Sequence, residues 1–84
     1  MITVLYFARL REALGQGSER LALPATVRDV EGVRALLRAR GGEWAQELAP
    51  GKSVRAAVNQ AMARGETPVA DGDEIAFFPP VTGG

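Results

Sequence analysis

Apolar and polar positions alternate in short runs towards both ends of this 84-residue chain and take helical spacing only in its middle. Ile2 to Phe7 is short and rich in β-branched and aromatic residues, which predicts a strand at the centre of a sheet. Ala8 to Leu14 suits a short helix, with Gly15 placed to end it in the left-handed conformation. After a turn at 16–18, Arg20 to Leu23 predicts a second strand that Pro24 stops, with Leu21 and Leu23 on one face. Val54, Ala56 and Val58 alternate with Arg55 and Ala57, which is strand periodicity. Thr67 to Val69 predicts a brief edge strand that tolerates Pro68. Asp71-Gly72-Asp73 is turn chemistry, Glu74 to Phe78 predicts the last strand, and Pro79-Pro80 ends it because neither residue donates to a ladder.

The main helix has two possible starts. Thr26 can cap it, with Asp29 three residues on as a short-armed capping box. Alternatively Asp29 is the cap, and Val30, Val33 and Leu37 form an apolar stripe at i, i+3 and i+7. The second start is preferred, because it leaves Gly32 in the first turn, where its helix penalty of ~1 kcal/mol matters least. Gly41 and Gly42 close this helix, and Glu43 to Leu48 adds a further turn with Trp44 and Leu48 on one side. The order predicts an α+β fold, a mixed sheet wrapped over one main helix, with the first and last strands parallel at its centre. That is the β-grasp arrangement, and the pattern alone also allows other small α+β folds. Residues 1–78 make the domain, and 79–84 make a flexible tail.

Composition narrows the chemistry. Ten acidic residues balance ten basic ones without a like-charge run, which gives no reason to expect nucleic acid or a membrane as partner. No segment approaches the ~20 apolar residues that span a bilayer, and the apolar start is too short for a signal peptide, so a cytoplasmic location is expected. The sequence contains neither Cys nor His. It therefore lacks a thiol nucleophile, the usual general base and the commonest metal ligands, and no metal site is expected. Any sulfur carried by this chain cannot sit on a side-chain thiol.

The most informative segment is the end, Phe77-Phe78-Pro79-Pro80-Val81-Thr82-Gly83-Gly84. The prolines favour an extended tail, and from Phe78 to Gly84 it can reach ~20 Å. Gly83 and Gly84 have no side chains, so the tip can thread a narrow channel into another protein's active site. Against this stands the ordinary frayed terminus, which also ends in glycine. A terminal carboxylate has a pKa near ~3.5, so at neutral pH it is ionised and a poor electrophile. Activation as an acyl-adenylate would open it to a sulfur donor, leaving a thiocarboxylate, or to a lysine amine, leaving a protein conjugate. The chain has no phosphate-cradling Walker loop, so an activating enzyme would have to spend the ATP.

The ending from Asp71 to Gly84, the opening Val4-Leu5-Tyr6-Phe7-Ala8, Arg11-Glu12, Gly15 and Val58-Asn59-Gln60 closely resemble the molybdopterin synthase small subunit (sulfur-carrier) family. The likeness runs through the whole chain and is strongest in the last fourteen residues. Between Leu23 and Trp44 the chain is about three residues longer than is usual in that family, which a helix start at Asp29 absorbs. The resemblance implies a ubiquitin-like β-grasp fold and a two-stage cycle. An ATP-dependent adenylyltransferase adenylates Gly84, and a sulfur donor converts it to the thiocarboxylate. The tail then enters the large subunit and passes sulfur to cyclic pyranopterin monophosphate. The implied assembly is a heterotetramer of two small and two large subunits, and the chain binds no cofactor of its own.

Strand alternation puts Phe77 and Phe78 on opposite faces; if Ile75 and Phe77 face the helix, Phe78 lies outside or packs under a loop. The resemblance implies that Phe78 contacts partners, with Phe7 and Met62 in the same apolar patch and Val81 continuing it. Met62 is equally compatible with core packing. Arg11 reads as a solvated helix residue, and the resemblance makes it an interface candidate. Asn59-Gln60 reads as a turn, and the acidic run Asp71, Asp73, Glu74 matches no calcium loop. Beside the sulfur carrier stand two alternatives: a protein modifier using the same carboxyl, and an interaction module with an inert tail.

Overall fold

In the computed structural model, residues 1–80 are described. The elements are β1 (Ile2–Tyr6), α1 (Ala8–Leu14), β2 (Ser18–Leu21), α2 (Val30–Arg38), α3 (Gly42–Glu47), β3 (Arg55–Val58), β4 (Ala61–Ala63) and β5 (Glu74–Phe78). Five strands form one mixed sheet in the order β2-β1-β5-β3-β4. The first and last strands pair in parallel at its centre, from Thr3 opposite Glu74 to Tyr6 opposite Phe77. The expected β-grasp arrangement is the one observed. No helix among the described residues is long and apolar enough to cross a membrane.

Alternation builds the core. Ile2, Val4 and Tyr6 from β1, Ile75 and Phe77 from β5, and Ala56 from β3 point to one face and are buried there. Val30, Val33 and Leu37 of α2 cover that face together with Leu10 of α1 and Leu48 after α3. The apolar stripe read from the sequence is therefore the stripe that packs. Four side chains close the opposite margin. The Tyr6 hydroxyl donates to Glu19 Oε2 at 2.7 Å, and Arg40 grips both Glu19 oxygens at 2.7 and 2.9 Å. The Arg40 guanidinium lies 4.4 Å over the Trp44 ring, which meets Tyr6 edge-on at 5.4 Å. Burial and the hydrogen bond to Glu19 push the Tyr6 phenol well above its ordinary pKa. Burial alone would raise the Glu19 carboxyl, but the hydrogen bonds from Arg40 and Tyr6 outweigh it and leave Glu19 below the usual range.

Helix α2 starts at Asp29, as the second alternative held. The Asp29 carboxylate accepts from Gly32 N–H at 2.7 Å. A Cβ at Gly32 would stand 3.1 Å from that carboxylate oxygen and from a Val27 methyl, so glycine leaves room for the cap. The carbonyls of Thr67 and Gly65 take the N–H groups of Val30 and Glu31 at 3.1 and 2.9 Å. This explains one departure from expectation. Thr67 to Val69 is not a strand but a single bridge, Asp29 opposite Pro68, because its backbone caps the helix instead of extending the sheet.

Other boundaries shift for similar reasons. The second strand runs Ser18–Leu21, two residues earlier than expected, because pairing of Leu21 with Ile2 exhausts β1. Helix α2 stops at Arg38, and Gly41, at φ +79, turns the chain into α3. Strand β4 was not anticipated. It follows a two-residue turn in which Asn59 and Gln60 both have positive φ, 49° and 71°, as a tight hairpin requires. Asn59 also anchors that turn to β5, donating to Asp73 at 3.1 Å and accepting from Glu74 N–H at 3.0 Å.

Two measurements check this account. Asp29→Ala should cost about 1 kcal/mol of stability in urea unfolding, whereas Thr26→Ala should cost nearly nothing. Because the folded-state pKa of Glu19 is lowered, its contribution is present at neutral pH and lost as pH falls through that value. Glu19→Gln should therefore melt below wild type at pH 7, and the gap should narrow below about pH 4.

Candidate functional site

The sheet face opposite the helices is uncovered by any described element and is apolar across its middle, with Thr3, Arg20 and Glu74 towards one end and Arg55 beside Phe78. Alternation sends Leu5 and Phe7, Ala76 and Phe78, Ala57 and Met62 to it. The registers set Leu5, Ala76, Ala57 and Met62 in one row across four strands. Ala57 and Ala76 are largely sheltered yet lie outside the core cluster; they form the low floor of this face. Phe7 and Met62, 46% and 68% exposed, stand up around it. Core packing is thereby excluded for Met62.

Phe78 is partly buried and belongs to the outer face, since Ile75 and Phe77 are both fully inside. It stands opposite Arg55, and the hydrogen bond from Phe7 N–H to the Phe77 carbonyl at 3.2 Å carries the parallel pairing up to it. Just beyond, Ala8 takes a positive φ of 53°, a bend that swings the chain out of β1 into α1 and leaves Phe7 at the rim. The structure thus brings Phe7, Phe78 and Met62 onto one surface. Arg11 stands apart on α1, exposed, its guanidinium laid across Gly17, where a Cβ would come within 3.1 Å of Nε. Val81, Gly83 and Gly84 lie outside the described residues.

Strand β5 brings the chain to this end of the sheet, where Pro79 forms one wall of a small cleft of about 100 Å³. Arg9 and Leu10 of α1, Glu47 of α3, and Lys52, Ser53 and Val54 line it. Glu47 is the one buried charged side chain among the described residues, and Arg9 Nε donates to its Oε1 at 3.2 Å. That hydrogen bond raises the Arg9 guanidinium above its ordinary pKa. The loop opposite is held by Arg34, whose guanidinium donates to the carbonyls of Leu48, Ala49 and Lys52 at 2.9, 2.5 and 3.0 Å. Sequence reading missed this cleft. Glu47 sits in a turn with nothing to distinguish it from a solvated acid, and only the packing of α1 on α3 buries it.

No catalytic constellation accompanies this surface. The acidic run is used in turn hydrogen bonds and pairing: Asp71 pairs with the Met1 ammonium, and Asp73 accepts from Asn59 and from Ala70 N–H. Among the described residues no acidic cluster is arranged to hold a metal. What the geometry offers is an open face that is apolar across its middle, with the exit of β5 at Pro79 beside it.

Comparison with known proteins agrees with this arrangement. The chain is 46% identical to the molybdopterin synthase sulfur carrier subunit of Escherichia coli K12, over 84 residues that cover all of both chains. It is 44% identical, again over the whole of both, to the protein of the same name from Haemophilus influenzae. Among solved structures it resembles SAMP1, small archaeal modifier protein 1, of Haloferax volcanii: 29% identity, TM-score 0.68, covering 99% of this chain and 98% of that one. Residues 4–84 match the ThiS family, and the chain belongs to it.

Proposed function

We propose that this chain is the sulfur-carrier subunit of a molybdopterin synthase and that its working group is the carboxyl of Gly84. The observation that carries the reading is the match along the entire length of a relative of that name, through Gly84 itself. The geometry supports it: the last strand is central, and its exit borders the apolar middle of the open face.

The chemistry runs in two stages. The Gly84 carboxylate attacks the α-phosphate of ATP on an activating adenylyltransferase, forming the acyl-adenylate and releasing pyrophosphate. A sulfide-level sulfur nucleophile attacks the acyl carbon and displaces AMP, leaving the thiocarboxylate; a persulfide donor would instead leave an acyl disulfide, which a thiol then reduces to the thiocarboxylate. In the large subunit this sulfur forms a carbon–sulfur bond with cyclic pyranopterin monophosphate as the oxygen it replaces leaves, and water then cleaves the acyl carbon–sulfur bond, leaving the sulfur on the pterin and returning the Gly84 carboxylate. With neither Cys nor His in the sequence, proton transfers in the second stage fall to the large subunit. Phe7, Phe78 and Met62 form the docking face, Arg11 and Val81 extend the contact, and Gly83 keeps the tip narrow. The assembly is a heterotetramer of two small and two large subunits. ATP consumption assigns the cycle to the cytoplasm.

A second reading is favoured by the likeness to an archaeal modifier protein. There the same adenylate is captured by a lysine amine of a target protein, giving an isopeptide bond. Intact mass of the protein from cells separates the two. One sulfur in place of one oxygen supports the carrier, and higher-mass conjugates without it support the modifier.

Deleting Gly84, or extending the chain past it, should abolish sulfur transfer with the melting temperature unchanged. A tagged C-terminus that still completes molybdopterin with the tag intact would end the proposal. Phe78→Ala should cost about 2 kcal/mol of binding to the large subunit, roughly thirtyfold in affinity, with little change in melting. Phe77→Ala, by contrast, should cost ~3–5 kcal/mol of folding stability. Side-by-side melts and titrations check both, and a Phe78 variant that melts like the Phe77 variant would refute the assignment of faces.

A further inference from the structure

We infer that Arg55 is a specificity-determining residue of the open face, met by a carboxylate on the partner surface that covers it. This rests on the reading that the large subunit docks over Phe7, Phe78 and Met62. Arg55 opens β3 and stands directly opposite Phe78 in the antiparallel pair with β5. Ala56, the next residue, faces the core, so alternation sends Arg55 outward with Ala57. On the far side of Phe78 comes Phe7, whose N–H donates to the Phe77 carbonyl and is thereby held level with the end of β5. The row nearest the exit of β5 thus holds two aromatic rings and one cation.

The other charges of this face lie elsewhere. Arg20 and Glu74 flank Thr3 at the opposite end, so a cation and a carboxylate share that row. Arg55 has no such neighbour. Phe78 stands on one side of it; on the other, β4 ends at Ala63, opposite Ala56, and the chain continues with Arg64, a second cation. Arg55 is exposed, and its side chain takes part in no ion pair or hydrogen bond among the described residues. Water satisfies the guanidinium in the free protein. A partner that covers Phe78 removes that water, and stranding an unpaired charge in an interface costs enough to cancel the gain from burying one phenylalanine. A partner that brings a carboxylate gains a charge-assisted, two-pronged pair instead. Such a pair repays its desolvation only when both ions are present, so it selects between partners more than it adds affinity. An apolar residue at 55 would accept any apolar surface. The arginine restricts the face to a surface with the complementary charge.

The test measures the affinity of the full chain for its large subunit, with melting temperature alongside, in Arg55→Leu, Arg55→Glu, Arg55→Lys and Phe78→Ala. The sign of the Arg55→Leu effect decides. If a carboxylate faces Arg55, this variant strands it, and affinity falls at least about thirtyfold. If the partner is apolar there, the same variant removes a desolvation cost and binding tightens. Arg55→Glu should lose at least about a hundredfold through like-charge contact. Arg55→Lys should stay within about tenfold of wild type, since it keeps the charge and loses only the fork. None of these three should lower the melting temperature, because residue 55 is exposed and outside the core. Unchanged or tighter binding by Arg55→Leu overturns the inference, and so does weaker binding that follows a lower melting temperature. Phe78→Ala separates this from the reading beneath it. If it weakens binding while Arg55→Leu does not, the face docks without a carboxylate at 55; if neither weakens binding, the docking reading falls together with the inference.

Discussion

The parallel pairing of β1 with β5 is the constraint on which the rest of the structure depends. It joins residues at the start of the chain to residues seventy positions later, and it places both at the middle of the sheet. A parallel pair needs a long crossover, and here the crossover is nearly the whole protein, including α2 on the inner face. The two strands supply Val4, Tyr6, Ile75 and Phe77 to the core, so the core cannot close until β5 is present. The chain end therefore emerges from the most stable part of the sheet. Because the first and last strands run the same way, the Met1 amine and the exit at Pro79 lie at opposite ends of the sheet, with the amine paired to Asp71.

The same register decides what the outside looks like. With a period of two, a one-residue slip of β5 would bury Phe78 and Ala76 and expose Ile75 and Phe77. Leu5 and Ala57, on the flanking strands, point the same way as Ala76, so the outer face and the core are two sides of one alternation. Small residues on the outer side matter as much as the aromatics. With alanine at 57 and 76, the centre of the face is low, and the raised groups are Phe7, Phe78 and Met62 at its margins.

Much of this was legible before any coordinates. The strands at both ends, the capped helix with its stripe, the turn at Asn59-Gln60 and the opposite facing of Phe77 and Phe78 follow from local periodicity and cap chemistry. What failed was whatever a distant segment decides. Thr67 to Val69 has strand composition, but its backbone is drawn to the start of α2: the Thr67 carbonyl accepts from Val30 N–H and the Val69 N–H donates to the Arg28 carbonyl. Ser18 and Glu19 lack strand composition, yet β1 needs a partner there, and Glu19 is further held by Tyr6 and Arg40. Met62 was ambiguous from sequence because a three-residue edge strand is too short to show alternation. Of the site, the apolar face was anticipated in its three large residues. Its alanine floor and the Arg9–Glu47 cleft were not, since burial of an acid by two packed helices leaves no local trace.

A chain that carries an activated group at its end has a particular problem of self-reaction. An acyl-adenylate or thioacid can be attacked by any amine or thiol within reach. This sequence contains no thiol and a single lysine, and its other amine is the Met1 ammonium at the far end of the sheet. The other basic residues are arginines, whose guanidinium stays protonated and is a poor nucleophile. They also do the structural tasks that lysine performs badly: Arg34 reaches three carbonyls and Arg40 spans both oxygens of Glu19. Genome composition accounts for a high arginine content in general. It does not account for where the one lysine stands, on a loop whose backbone Arg34 holds beside the root of the tail. Scarcity of amines and the lack of thiols in this sequence, and not the course of the tail, are what limit such self-reaction.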